Sequence, residues 1–226
     1  MMVLKTFSLR LKSLRLVSVI AISLLTACGK HGSSEAPLSS VAEKGIQTSP
    51  TTQCFYAAGR LSKNDAELFA ASGAGDVRRA EKSVDAGGNV NAADSLKRTP
   101  LFAAAFCNHA GVAHLLIDKG SDVNARDFIG MSPLHAAVIG GGDEAAKELI
   151  SRGANIDIPS AVGQTPLHLA AATNQVAMVE LLLERGANAQ VRDKDGVTAA
   201  SLATKNGHPA VAATIKKWQE THLIQK

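Results

Sequence analysis

This sequence predicts an all-α fold: a row of about five stacked helix–turn–helix units joined by short hairpin loops. Three observations predict it. The first is a repeat. Thr99-Pro100-Leu101-Phe102-Ala103-Ala104, Ser132-Pro133-Leu134-His135-Ala136-Ala137, Thr165-Pro166-Leu167-His168-Leu169-Ala170 and Thr198-Ala199-Ala200-Ser201-Leu202-Ala203 start at a fixed step of 33 residues. The second is a pair of short apolar patterns at helical spacing within each step, such as Leu167, Ala170 and Ala171 followed by Val179, Leu182 and Leu183. The third is punctuation. Gly186 closes the second pattern, where a positive φ is usually needed, and the polar stretch from Ala187 to Gly196 leads to the next unit.

Each position in the opening has a physical task. A Thr or Ser can accept from an unpaired N–H at the start of the first helix, as expected of Thr165. The Pro after it suits a helical position that needs no donor. Leu167, Leu169, Ala170 and Ala171 make a narrow apolar helix that can pack closely. One such unit cannot bury its apolar side alone; stacked units share a core, and the end units need a polar outer side. The period and the Thr-Pro-Leu-His opening resemble the ankyrin-repeat family. The resemblance implies an ankyrin-repeat solenoid over 61–226, with repeats at about 66–98, 99–131, 132–164, 165–197 and 198–226. The first unit lacks Thr-Pro but keeps Leu68-Phe69-Ala70-Ala71 and Gly87-Gly88-Asn89 in register, and the last lacks Pro. Both departures suit capping repeats. His135 and His168 occupy one repeat position, and the resemblance implies structural histidines bonded near the Thr-Pro turn rather than ligands or bases.

Residues 1–27 predict a segment removed from the mature protein. Lys5, Arg10, Lys12 and Arg15 precede an apolar stretch at 16–25 that is too short to span a bilayer comfortably. Leu25-Thr26-Ala27-Cys28 resembles a bacterial lipoprotein signal, which implies cleavage after Ala27 and lipidation of Cys28; the alternative is an ordinary secretory signal. Gly29, rather than Asp, implies sorting to the outer membrane, facing the periplasm. Two or three acyl chains suffice for stable anchoring. Residues 28–60 then read as the lipidated cysteine and a flexible tether rich in Ser, Gly, Thr and Pro.

The formal charge of the chain is +4, and residues 1–27 hold four basic and no acidic side chains, so the remainder balances at zero. A nucleic-acid partner needs a concentrated basic stripe, and none is visible. Cys54 and Cys107 remain beside Cys28. In an oxidising compartment a pair of thiols is often bridged, but sequence supplies no Cα distance for a Cys54–Cys107 bond; two free thiols are the first reading, the bridge the second and a metal site the least favoured.

The family resemblance implies docking through hairpin tips and the exposed side of each first helix. Carried over position by position, the tips are Ser95, Leu96, Arg98; Phe128, Ile129, Met131; Ala161, Val162, Gln164; and Lys194, Asp195, Val197. The helix positions are Gly73, Ala74; Phe106, Cys107; Ile139, Gly140; Ala172, Thr173; and Lys205, Asn206. Leu96, Phe106, Phe128, Ile129, Met131, Ile139 and Val162 make the middle of that surface apolar. Each large apolar group left in water forgoes about 1.5–3 kcal/mol of burial. A contiguous patch therefore predicts a protein-binding site. The competing expectation is that these side chains fold inward between hairpins or are covered by residues 53–61. The sequence shows no Ser/His/Asp set, no Gly-rich phosphate loop and no metal-ligand spacing, which argues against an enzyme. The expected protein is thus a lipid-anchored, monomeric binding module without cofactor, taking a protein partner in the periplasm. The alternative is an immunity-type inhibitor of a toxin or secreted enzyme acting at the envelope.

Overall fold

The computed structural model describes residues 61–223, with side chains through 221. Cys28, Cys54 and the whole of 1–60 lie outside the described residues, and so do the expected lipidation, the tether and the Cys54–Cys107 bridge. Ten helices form among the described residues. They are α1 (Lys63–Ala74), α2 (Val77–Asp85), α3 (Pro100–Phe106), α4 (Ala110–Asp118), α5 (Pro133–Gly140), α6 (Asp143–Ser151), α7 (Pro166–Ala172), α8 (Val176–Glu184), α9 (Ala199–Lys205) and α10 (Pro209–Leu223).

The odd-numbered helices begin where the repeat predicts. Pro100, Pro133, Pro166 and Ala199 open α3, α5, α7 and α9, each 33 residues after the last. Thr99 Oγ1 accepts the Phe102 N–H at 3.2 Å, and Thr198 Oγ1 accepts the Ser201 N–H at 3.4 Å. α1 starts four residues ahead of the period because it carries its own capping box. There the Asp65 N–H donates to Ser62 Oγ at 3.1 Å, and the Ser62 N–H donates back to Asp65 Oδ2 at 3.3 Å. Each odd helix is followed, at a constant repeat position, by a left-handed residue: Gly75, Asn108, Gly141, Asn174 and Gly207. Asn substitutes for Gly there because its short polar side chain tolerates that region.

The helices form two layers. α1, α3, α5, α7 and α9 pack side by side in one row, and each also packs on the even-numbered helix of its own pair. This explains an asymmetry in burial. All seven residues of α3 are buried, whereas α4 buries only Val112, Ala113 and Leu116. The inner helix is enclosed by neighbours on both sides and by its partner behind; the outer helix keeps a solvent face. Alanines permit the close approach, and Gly140 requires it. A Cβ at Gly140 would stand 1.9 Å from the Phe106 carbonyl oxygen.

That contact corrects one expectation. Phe106 was predicted on the binding surface, but it is only 4 % exposed and belongs to the core. α5 lies against the end of α3, and the backbone of Gly140 covers the turn that carries Phe106.

Candidate functional site

The hairpin turns are built from one recurring set of bonds. At the second hairpin, Asp127 donates its N–H to the Met131 carbonyl at 2.9 Å, and the Gly130 N–H returns to the Asp127 carbonyl at 3.0 Å. The Asp127 carboxylate accepts the N–H groups of Ile129 at 2.9 Å and Met131 at 2.8 Å. Asp94 serves Leu96 and Arg98 in the same way, at 2.8 and 2.9 Å. Asp193 serves Asp195 and Val197, at 3.0 and 2.8 Å. Ser160 takes this position in the third hairpin, with its hydroxyl accepting the Gln164 N–H at 3.2 Å. The fourth residue of each turn has positive φ: Lys97, Gly130, Gly163 and Gly196.

Successive turns are then tied to each other. The Phe128 N–H donates to the Leu96 carbonyl at 2.9 Å, the Ala161 N–H to the Ile129 carbonyl at 2.9 Å, and the Lys194 N–H to the Val162 carbonyl at 3.1 Å. In the second and third turns the approach is too close for a side chain at the left-handed position. A Cβ on Gly163 would lie 2.8 Å from the Lys194 nitrogen, and one on Gly130 would lie 2.8 Å from the Ala161 nitrogen. The tips therefore form one ridge whose backbone is held by hydrogen bonds.

Leu96, Phe128, Ile129 and Val162 are brought together along this ridge. Phe128 is 72 % exposed, Val162 54 % and Leu96 45 %. Ile129 and Met131 are half-buried between turns, and Ile139 is half-buried on α5. Of the seven side chains predicted for the patch, three are exposed, three are partly covered and Phe106 is core. Lys97 is the ridge residue that the positional reading passed over. Its signal was available, since it holds the position where the next three turns carry Gly.

Charge on the ridge is arranged around the turns. The Asp94 carboxylate is fully buried and receives the Arg98 guanidinium, with Nε at 2.9 Å and Nη2 at 2.6 Å from Oδ2. Burial raises the pKa of Asp127, opposed by the Met131 and Ile129 N–H bonds and by the charge of Arg98.

The two histidines act as structural bolts. His135 Nδ1 accepts the Ser132 N–H at 3.2 Å, so Nε2 carries the proton that reaches the Gln164 carbonyl at 3.0 Å. His168 repeats the arrangement with the Thr165 N–H at 3.3 Å and the Val197 carbonyl at 3.0 Å. Each ring thus joins the start of one inner helix to the hairpin that leads into the next repeat. Burial holds the His135 pKa down at about 4 and lowers that of His168. Among the described residues no group of three His, Cys, Asp or Glu side chains is placed to hold a metal ion.

Helix pairs in a row, tied tip to tip beneath an exposed apolar ridge, define a repeat scaffold of the binding type. The family model described as ankyrin repeats (three copies) matches residues 68–160 and 134–221, more than half of the sequence. The chain belongs to the ankyrin-repeat family, and a protein partner is what that membership implies. A search of curated proteins found no similar sequence.

Proposed function

We propose that this protein is a lipid-anchored, periplasm-facing module that captures a protein partner on its hairpin ridge. The observation that carries the docking half is the run of Leu96, Phe128 and Val162. These are three large apolar side chains in solvent, on a backbone that spends bonds to hold them in line. Water alone favours polar turn residues, and exposed apolar clusters mark interaction surfaces. The anchoring half rests on Leu25-Thr26-Ala27-Cys28.

Phe128→Asp tests the docking half. Cross-linking of the soluble form, beginning after Cys28, to a partner in envelope extract should be lost, with the melting temperature nearly unchanged. A large drop in melting temperature would place Phe128 in the core and defeat the reading. Incorporation of labelled palmitate, abolished by Cys28→Ala, tests the anchor. An inhibitory role toward a toxin or secreted enzyme is the narrower form of this reading, and it requires the captured partner to lose activity on binding.

A further inference from the structure

We infer that the partner segment taken by the ridge is apolar at its centre and acidic at its flanks. This rests on the docking reading above and adds the chemistry of the partner. The argument is the way the turns sort charge. Asp94 is fully buried under Arg98, and Asp127 and Asp193 are half-buried with their carboxylates turned to the N–H groups of their own turns. The cations lie outside. Lys97 follows Leu96, Arg126 precedes the second turn, and Arg192 and Lys194 flank Asp193, the first residue of the fourth turn; all four are exposed. Among the described residues, none of these four forms an ion pair. Arg126 bonds the Gly130 carbonyl at 3.2 Å and also the Pro159 carbonyl, and Arg192 bonds the Gly196 carbonyl at 2.8 Å. Asp195 is the one exposed carboxylate within the four turns.

An approaching molecule therefore meets Lys97 at one end of the apolar strip and Arg192 and Lys194, beside Asp195, at the other, with Asp94, Asp127 and Asp193 set behind it. Rim charges of this kind steer encounter and select partners. The match is linear because the apolar side chains come from three consecutive tips, not from the walls of a single pocket. A segment with one or two apolar side chains per tip and Asp or Glu beyond them satisfies both terms. A continuous anionic bilayer could not avoid Asp195 as a like charge, whereas the few acidic side chains of a protein segment can be spaced to miss it, which favours the segment.

The test is selection of displayed random dodecapeptides on the immobilised full chain. The pool should become enriched in peptides that combine large apolar residues with Asp or Glu. Their binding should vanish with Phe128→Asp. It should weaken about tenfold with Lys97→Glu and Lys194→Glu together, and also with added salt on the unaltered protein. The salt series stands even where the double variant folds poorly. Apolar enrichment without acidic residues would overturn the inference while leaving the ridge as the docking site. Enrichment that ignores Phe128→Asp would overturn the docking reading itself. An unenriched pool, or Phe128-dependent binding to phosphatidylserine-rich vesicles, would also overturn the inference.

Discussion

At His135, burial lowers the pKa by more than the Gln164 hydrogen bond raises it. The folded ring is neutral, with a pKa of about 4 against an ordinary value of 6.5. Between those values the unfolded chain binds the proton and the folded chain does not. Stability is therefore complete above pH 6.5 and falls as the pH drops toward 4, by about 3 kcal/mol over the full window. Urea midpoints at pH 7 and pH 5 should show the loss. His135→Phe copies the residue that Phe102 supplies at the same repeat position. It should remove most of the slope, leaving the smaller share of His168. It should also cost about 1–3 kcal/mol at pH 7, because the Gln164 carbonyl and Ser132 N–H lose their partner. Gly163 makes a second residue-scale case. Gly163→Ala must carry a left-handed backbone and a contact with the Lys194 nitrogen, whereas Gly196→Ala meets nothing within 4 Å. The first should cost about 2–3 kcal/mol and the second about 1, measured by denaturant titration.

Helix ends show how one element depends on its neighbour. The N-cap of α6 is Gly142, which has no side chain to cap the helix. The missing acceptor comes from the preceding repeat, where Asn108 Oδ1 takes the Ala145 N–H at 2.9 Å. Asn108 thus ends one inner helix in the left-handed region and caps the outer helix of the next unit. Asn108→Gly keeps the backbone conformation and deletes only the bond. It should cost about 1 kcal/mol and speed hydrogen exchange at the Ala145 amide. The hairpin legs use the same economy. Asn91 Oδ1 accepts the Asp122 N–H at 2.9 Å, Asn124 Oδ1 the Asn155 N–H at 2.8 Å, and Asp157 Oδ1 the Asn188 N–H at 3.0 Å. Side chains that read as generic turn residues are rungs between repeats.

At the scale of the repeat row, stability is a sum over units and junctions. Each junction has inner-helix packing, and the first three add one tip-to-tip backbone bond and an Asn or Asp rung. The histidine bolt is present where His135 and His168 stand, and absent where Phe102 takes the place. Ending the chain at Val197 removes α9 and α10 but keeps the Val197 carbonyl for His168. The shortened protein should still melt in one transition, at a midpoint lowered by several kcal/mol of lost junction energy, followed by circular dichroism. The ridge residues add little to this sum, which is why they are open to selection for binding. Among the described residues, Phe128 is the most exposed of the large apolar side chains.

The repeat length, the Pro-led inner helices and the glycine stops were readable from residue order, and the structural role of the histidines followed from the family resemblance. Helix initiation, left-handed stops and apolar spacing are local properties that recur with the period. Exposure was not local. Phe106 and Phe128 look alike as letters, and both were expected at the surface. The first is core because it belongs to α3, an inner helix enclosed by its neighbours and buried along its whole length. The second is in solvent because it stands at the tip of a hairpin turn. The same holds for Asn108 and the rungs at Asn91, Asn124 and Asp157. Their partners lie 31 to 37 residues away, so only the stacking of one unit on the next chooses what each side chain meets.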